Sequence, residues 1–535
     1  MPSRINIGPE NGPYVAINES SGNLQLEDNT GNVVAEWDET NAQWDFANNT
    51  LNNVDALYSN SVNTEEVNTD QWADLGDGVD SLNNVLESVG NADGGLVEAF
   101  GEVIGFDDRV RIESDSTALS GRGQATVISQ DPNTADDNLR AVHPNGDEDD
   151  RIRYIQLANL YVELSRRNID CEWVERSLLQ GLFLGPTADG EPNADGIEID
   201  DSRYLILSQL IGWQHGQDTV HVSNNNQHVL VSDSISIEAG QEEDRFGGFS
   251  VSGAPNSEFN SFVNVHSIDS RNEAAEVIGG RGNRYVSLTA ENPNRGVFLN
   301  EGQYTQIGLS SVYNSSSFGI GETSSSESEH SQITGTVVEN ASAQSYNLHN
   351  PAYLSNFMVV GGATDGIRTR ADGSVLNTGY VEGPDGDGIV VLGTTTLLGV
   401  TVDGDNTTTR GISIEEDNCL VQGTQVRNCG GPGYRLRNCE GVRLVGVLGE
   451  NNGNDDFIIE DTAIETVVRG ASVESISDSG TRTLINGRGT NSGDPSTEGE
   501  WNGHDDFAEE TDATIHDETN DNLYKAADGS WIQIG

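Results

Sequence analysis

Lysine is almost missing from this chain. A single lysine, Lys525, stands among 27 basic residues in 535, against 87 Asp and Glu, for a formal charge of −60. A surface that negative repels a phosphate backbone and an anionic bilayer alike, which excludes nucleic acid and membrane as partners unless concentrated cations screen it. Cysteine is scarce too: four, at 171, 419, 429 and 439, are too few for a disulfide scaffold and do not decide the compartment. Long apolar runs are absent. The opening Met1-Pro2-Ser3-Arg4-Ile5-Asn6 lacks the apolar stretch of a secretory signal, and no later stretch approaches the ~18 residues that span a bilayer, so neither export signal nor membrane anchor is expected. Apolar residues are only 34% of the chain, but 62 glycines restore an ordinary globular total, and the apolar spacing argues against wholesale disorder.

What is present is a repeat. From about residue 195 an apolar position recurs at Ile197, Val220, Phe249, Ala275, Val297 and Phe318, then at Tyr346, Ile367, Ile389, Ile412, Tyr434 and Phe457, each with a partner two residues on. Between these period-two strands lie Asn/Asp/Gly turns with no room for a ten-residue helix, which rules out βαβ units and leucine-rich repeats. The pattern winds a parallel β-helix, with coils stacked about 4.8 Å apart and like residues laddered; twelve or so coils plus a cap extend about 60 Å or more. Asp417-Asn418-Cys419 and Arg437-Asn438-Cys439, twenty residues apart, are expected to stack Asn418 over Asn438 and Cys419 over Cys439. With Cys429 on another side and no histidine in the segment, the cysteines read as buried ladder residues rather than a metal centre.

Upstream, Ala73-Asp74-Leu75-Gly76-Asp77-Gly78-Val79-Asp80 reads as a turn and Ser81 as the cap of a short helix through Val89. Strands follow at Gly94–Phe100, Val110–Glu113 and Leu119-Ser120-Gly121-Arg122-Gly123-Gln124-Ala125-Thr126-Val127-Ile128. This succession resembles the N-terminal cap and first coil of the pectate-lyase-like superfamily, above all the tailspike and tail-fibre β-helices of viruses, over roughly residues 72 to 490. The resemblance implies an all-β fold: a right-handed, single-stranded parallel β-helix with small β-rich terminal modules. The acid excess without lysine resembles proteins of haloarchaea and their viruses. Residues 1–71 form an expected attachment module with strands at Tyr14–Ile17 and Leu24–Glu27 and Trp residues at 37, 44 and 72; residues 491–535 form a linker and a hairpin ending in Leu523-Tyr524-Lys525 and Gly529-Ser530-Trp531-Ile532, which looks like a hairpin of viral tail-fibre proteins. Such modules are too small to stand alone and are expected to fold against a neighbour.

The candidate chemistry lies in two coils. Asp195, Asp200 and Asp218 with His215 are the expected catalytic groups, and Trp213, His221 and Glu198 the expected binding groups, because glycan cleavage needs a proton donor and a base, and a sugar ring needs an aromatic platform. The segments faintly resemble those of polygalacturonase-like glycosidases, without their Asp-Asp pair, Gly-His-Gly or Arg-x-Lys. Asp-Gly-Ile also recurs at 365–367 and 387–389, so it serves first as a turn device. No metal centre and no specific cofactor are expected; the acid runs Asp147–Asp150 and Glu242–Asp244 gather Na⁺, K⁺, Mg²⁺ or Ca²⁺ diffusely in high salt, and serine stretches such as Ser315–Ser317 and Ser324–Ser326 suit side loops. Two functions are consistent with the sequence. One is a virion surface protein, a tail fibre, tailspike or capsid spike of a haloarchaeal virus, that adheres through several copies to a host glycan or S-layer glycoprotein. It would act as a homotrimer, or a pentamer at a capsid vertex, alongside other virion proteins. The alternative is a β-helix glycoside hydrolase or polysaccharide lyase.

Overall fold

A computed structural model describes residues 78–99, 103–106, 109–130, 140–187, 194–241, 247–253, 256–322, 328–473, 475–481, 483–485 and 488–489, with short strands at both ends. Trp72, the turn at 74–77, the acid run at 242–244, the serines at 324–326 and most of 491–535 lie outside the described residues. Contacts divide the chain into two compact units, Met1–Val62 and Asn63–Gly535. The first holds a five-stranded antiparallel meander, Ile5–Ile7, Val15–Ser20, Asn23–Glu27, Val33–Asp38 and Gln43–Asp45, paired in chain order.

The second unit is a parallel β-solenoid opened by one helix, α1 (Gly78–Asn91). The helix starts three residues before Ser81, so Ser81 lies in its first turn and is not its cap. Leu82 and Leu86 bury one face, while Asn83 clamps the first coil, donating to the Arg109 carbonyl (2.9 Å) and accepting from the Arg111 N–H (2.7 Å). Two long sheets follow. Sheet A joins 28 strands and sheet B 16, nearly all by parallel pairing. A coil runs from sheet B at Ile197–Asp200 round a corner to sheet A at Ile206–Ser208 and Ile211–Trp213, then back to sheet B at Val220–Val222. The chain closes with an antiparallel trio, Thr514–Asp517, Asn522–Ala527 and Ser530–Gln533. Among the described residues no helix is long and apolar enough to cross a membrane.

Register confirms the expected ladder at eleven of its twelve positions, from Ile197 over Val220 to Tyr434 over Phe457. The exception is the coil after Val297, where Ile320 rather than Phe318 takes the core position. Phe318 instead packs against Phe298 with the Arg295 guanidinium over both rings, and the shift by two puts Glu322 into the inner row opposite Leu299. The cysteine alignment also differs. The coil step there is 23 residues, so Asn418 lies against Gly441, not Asn438, and all four cysteines are free and buried.

Candidate acid–base site on sheet B

In a strand alternate side chains face opposite ways, so the residues between the core positions of sheet B form an outer row. Read along the register this row is Asp170, Glu198, His221, Ser250 and Glu276, with Phe298 next. It points away from the core, yet every member from Asp170 to Glu276 is buried, none more than 9% exposed. Such burial would be prohibitive for bare charges, and the row is accordingly webbed to its flanks.

One flank is the position two residues before each core residue: Arg140, Arg167, Asp195, Asp218, Gly247, Glu273 and Arg295. Asp195 accepts the Asp218 N–H (3.0 Å) and Asp218 the Gly247 N–H (2.9 Å), both through Oδ1. The same bond recurs where Asp365 accepts the Asp387 N–H (3.0 Å), so the first oxygen belongs to the turn. The second oxygen distinguishes the two ends of the solenoid. At Asp365 and Asp387 it pairs with Arg368 and Arg410, whereas at Asp195 it faces His221 Nδ1 (3.6 Å) and at Asp218 it accepts from Ser250 (2.5 Å). Arg167 joins Asp170 (3.0 Å) and Glu198, and Arg140 joins Asp170 (2.5 Å), Glu172 (3.2 Å) and His143. Arg295 meets Glu273 (2.6 Å), while Glu276 Oε2 is buried and accepts no hydrogen bond.

These surroundings move protons. Burial, then the neighbouring Asp195, pushes Glu198 up to about 8 against the opposing Arg167 and His221. Burial raises Glu276 to about 9, helped by Glu273 and Asp218. Asp218 rises to about 7 for the same first reason, with Asp195 adding and His221 and Ser250 opposing. Burial would lower His221, but the hydrogen bond and charge of Asp195, with Asp218 and Glu198, raise it to about 10. The row therefore holds protonated carboxyls beside an imidazolium and an acceptor oxygen, an arrangement able to give one proton and take another.

The sequence-named residues divide. Asp195, Glu198, Asp218 and His221 come together as described. Asp200 sits at the rim, held by Ser223 and by Asn224 Nδ2 (3.2 Å). His215 is fully buried against Gly196 and Gly212, bonded to Thr219 (2.9 Å), and burial lowers it to about 4. Trp213 points out from sheet A, where with Tyr161, Phe183 and Ile211 it lines a cleft of about 370 Å³ whose walls include none of the acids. A tryptophan five residues from an aspartate is here on the next face, because the corner turns between them. Arg167, Asp170 and Glu276 were not singled out from sequence; the register places Arg167 and Asp170 one strand before Asp195 and Glu198, and Glu276 three strands after Glu198.

Two groups bring three donor atoms within 4.8 Å of one another: Asp195, Glu198 and His221, and Asp170, Glu198 and Asp200. A divalent ion in the second would have to displace the Arg167 guanidinium, and in the first the proton on His221, so neither group favours a metal as it stands.

No protein-family model and no curated protein matches the chain. Among solved structures it is similar to the catalytic domain of a GH87 α-1,3-glucanase in complex with nigerose (12% identity, TM-score 0.42, 62% of this chain and 64% of that one). It is also similar to tailspike protein 3 of bacteriophage CBA120 (11%, TM-score 0.44, 99% and 84%) and to ORF18 of Geobacillus virus E2 (13%, TM-score 0.38, 73% and 68%). The chain thus spans about 64% of the glucanase domain's length. At such identities the likeness is one of β-helix fold alone.

Proposed function

We propose that this chain is a virion surface protein of a haloarchaeal virus that adheres to a host-surface glycan and hydrolyses it at the acid row of sheet B. The observation that carries the reading is the Glu198–Asp195–His221 group: a carboxyl that keeps its proton to about pH 8 with a carboxylate oxygen within 4.8 Å, on an outer sheet face. A purely adhesive wall has no need to bury acids and raise their proton affinity, whereas glycosidic cleavage needs a protonated acid at the leaving oxygen and a second carboxylate, which at so short a spacing serves as nucleophile. In this arrangement Glu198 gives its proton to the leaving oxygen as Asp195 Oδ2 attacks the anomeric carbon, the deprotonated Glu198 then takes a proton from the water that releases the sugar from Asp195, and the His221 imidazolium balances the charge. Asp218, tied to Ser250 and Gly247, positions the pair.

The attachment half of the reading rests on the ends, two small antiparallel modules of the size that folds against other copies or other virion proteins. A homotrimer is the expected assembly, and the acid surface with one lysine is the expected halophilic trait. The test combines location and chemistry. Particles grown in high salt should carry symmetric copies under cryo-electron microscopy, and the purified chain should release reducing ends from host-surface polysaccharide. Glu198→Gln should cut that release by about 10²-fold or more while the fold is kept. Particles lacking the chain would end the virion assignment, and full activity in Glu198→Gln would end the catalytic one.

A further inference from the structure

In most coils the corner between sheets B and A holds one residue in the left-handed region, Pro351 and Thr394 being exceptions, a conformation that bulky L side chains adopt only with strain and that glycine and asparagine adopt most easily. Late in the solenoid the row is Asn418 (φ 54°), Gly441 (φ 70°) and Glu465 (φ 55°), with no ring among them. The early coils differ. The position is Tyr154, Arg176, Tyr204, His228 and Phe259, then Gly282, Tyr304 and His330, all with φ between 53° and 65°. The coil-to-coil bonds are those of an ordinary row, such as the Tyr204 N–H to the Gln227 carbonyl (3.0 Å) and the Phe259 N–H to the Arg281 carbonyl (2.9 Å), so nothing in the backbone asks for rings. Left-handed side chains such as Leu164, Gln209, Leu309 and Thr378 occur in other rows as well, so what marks this edge is the recurrence of rings at the strained position.

The rings form a ribbon. Tyr204 stacks on His228 (5.1 Å, 10°) and His228 on Phe259 (5.6 Å, 13°), and Tyr304 stacks on His330 (5.4 Å). Phe259 leans over Gly282, where a Cβ would lie 2.7 Å from its ring, and the Arg281 guanidinium sits 5.4 Å from the centre of Tyr304. Tyr154, Tyr204, Phe259 and Tyr304 remain 43 to 54% exposed. Charge sets the same edge apart: with Arg176 in the rail, the adjoining rows carry Arg153, Arg203, Arg281 and Arg284 against Glu175, Glu258 and Glu329, a small positive excess in a chain of net charge −60, with Glu175 buried and paired to Arg153 (3.5 Å) and Arg203 (3.1 Å). Exposed amides at Gln303, Gln306 and Gln332 complete it.

We infer that this edge is a binding rail for a linear anionic polysaccharide, one bearing carboxylate or sulfate groups. The row is straight and repeats at the coil spacing over eight coils, roughly 40 Å, which suits a periodic chain rather than a globular partner. Ring edges meet the apolar faces of sugars, guanidiniums take the acid groups at short range, and amides take hydroxyls. Short-range contacts of this kind survive where salt screens longer ones. The rail is separate from the acid row and stands whether or not that row is catalytic.

The test uses the full chain, with polygalacturonate and dextran sulfate as probes and neutral dextran as control, in low and in molar potassium chloride. Wild type should bind both polyanions and not dextran. Tyr204→Gly with Phe259→Gly relieves strain, so the double variant should unfold no earlier than wild type yet bind about tenfold or more weakly. Unchanged binding in the double variant would overturn the inference. So would retained binding with loss of self-association in sedimentation, which would make the ribbon a seam between copies.

Discussion

Glu276 shows what a single residue contributes when its neighbours share its sign. It keeps its proton to about pH 9 in the folded chain, against about 4.3 for an unperturbed glutamate. Between those values the folded state holds the extra proton, so stability is fully present below the lower value and is lost as pH rises through the upper one. Glu198, raised to about 8, acts in the same direction, and so does His221, whose contribution is complete below about 6.5 and lost toward about 10. Thermal unfolding should therefore move to lower temperature as pH is raised from mildly acidic to about 9, and Glu276→Gln should flatten that dependence and unfold later than wild type at the alkaline end. An unchanged profile in the variant would show that Glu276 is not the buried proton store. Cleavage, if it uses Glu198, should fall through about pH 8 as the donor is lost.

At the scale of the element, the strand Ile320–Glu322 sits in an apolar ladder with a carboxylate in its inner row. Burial raises Glu322 to about 7, and its Oε2 accepts from the His349 N–H (2.9 Å), the Asn350 N–H (2.6 Å) and Asn350 Nδ2 (3.1 Å). The side chain closes a turn that no backbone group reaches, which outweighs the cost of a polar group among Leu299 and Leu348. Glu322→Leu, although it matches the ladder, should destabilise by about 1–3 kcal/mol per orphaned donor, and Glu322→Gln, which keeps an acceptor, by less. Chemical denaturation of the two variants reads the difference; equal stability would assign the strand's position to packing alone. The left-handed corners make the same point from the backbone side. Asn292 and Asn314 occupy one such row and pass a side-chain hydrogen bond between coils (3.1 Å), whereas the rail accepts strain for exposed rings.

For the whole molecule, a charge of −60 makes the solvent part of the structure. Self-repulsion falls as the screening length drops from about 10 Å at 0.1 M salt to about 3 Å at 1 M. Melting temperature should rise with potassium chloride well into the molar range, and a melting point that is flat or falling with salt would remove the halophilic part of the proposal. Surface pairs such as Arg427–Asp403 (2.8 Å) should contribute little to that response, since exposed pairs weaken with salt, while the apolar ladders strengthen or hold.

The sequence by itself determined the β-helix, because side-chain alternation and a recurring apolar pair are local signals: Ile197, Val220 and Phe249 could be placed in one row from spacing alone. It also pointed to Asp195, Glu198, Asp218 and His221, which lie at repeat positions. Where a coil changed length, spacing misled, as at Phe318 and at Cys419, since one residue counted along the chain does not say which neighbour lies across the sheet. Only the tertiary structure decided that Glu276, some sixty residues beyond Asp218, shares its field, that Trp213 faces another wall, and that isolated rings at 204, 228 and 259 form a single stack. Those relations run across coils, where register and burial set both distance and dielectric, and neither is written in the order of the residues.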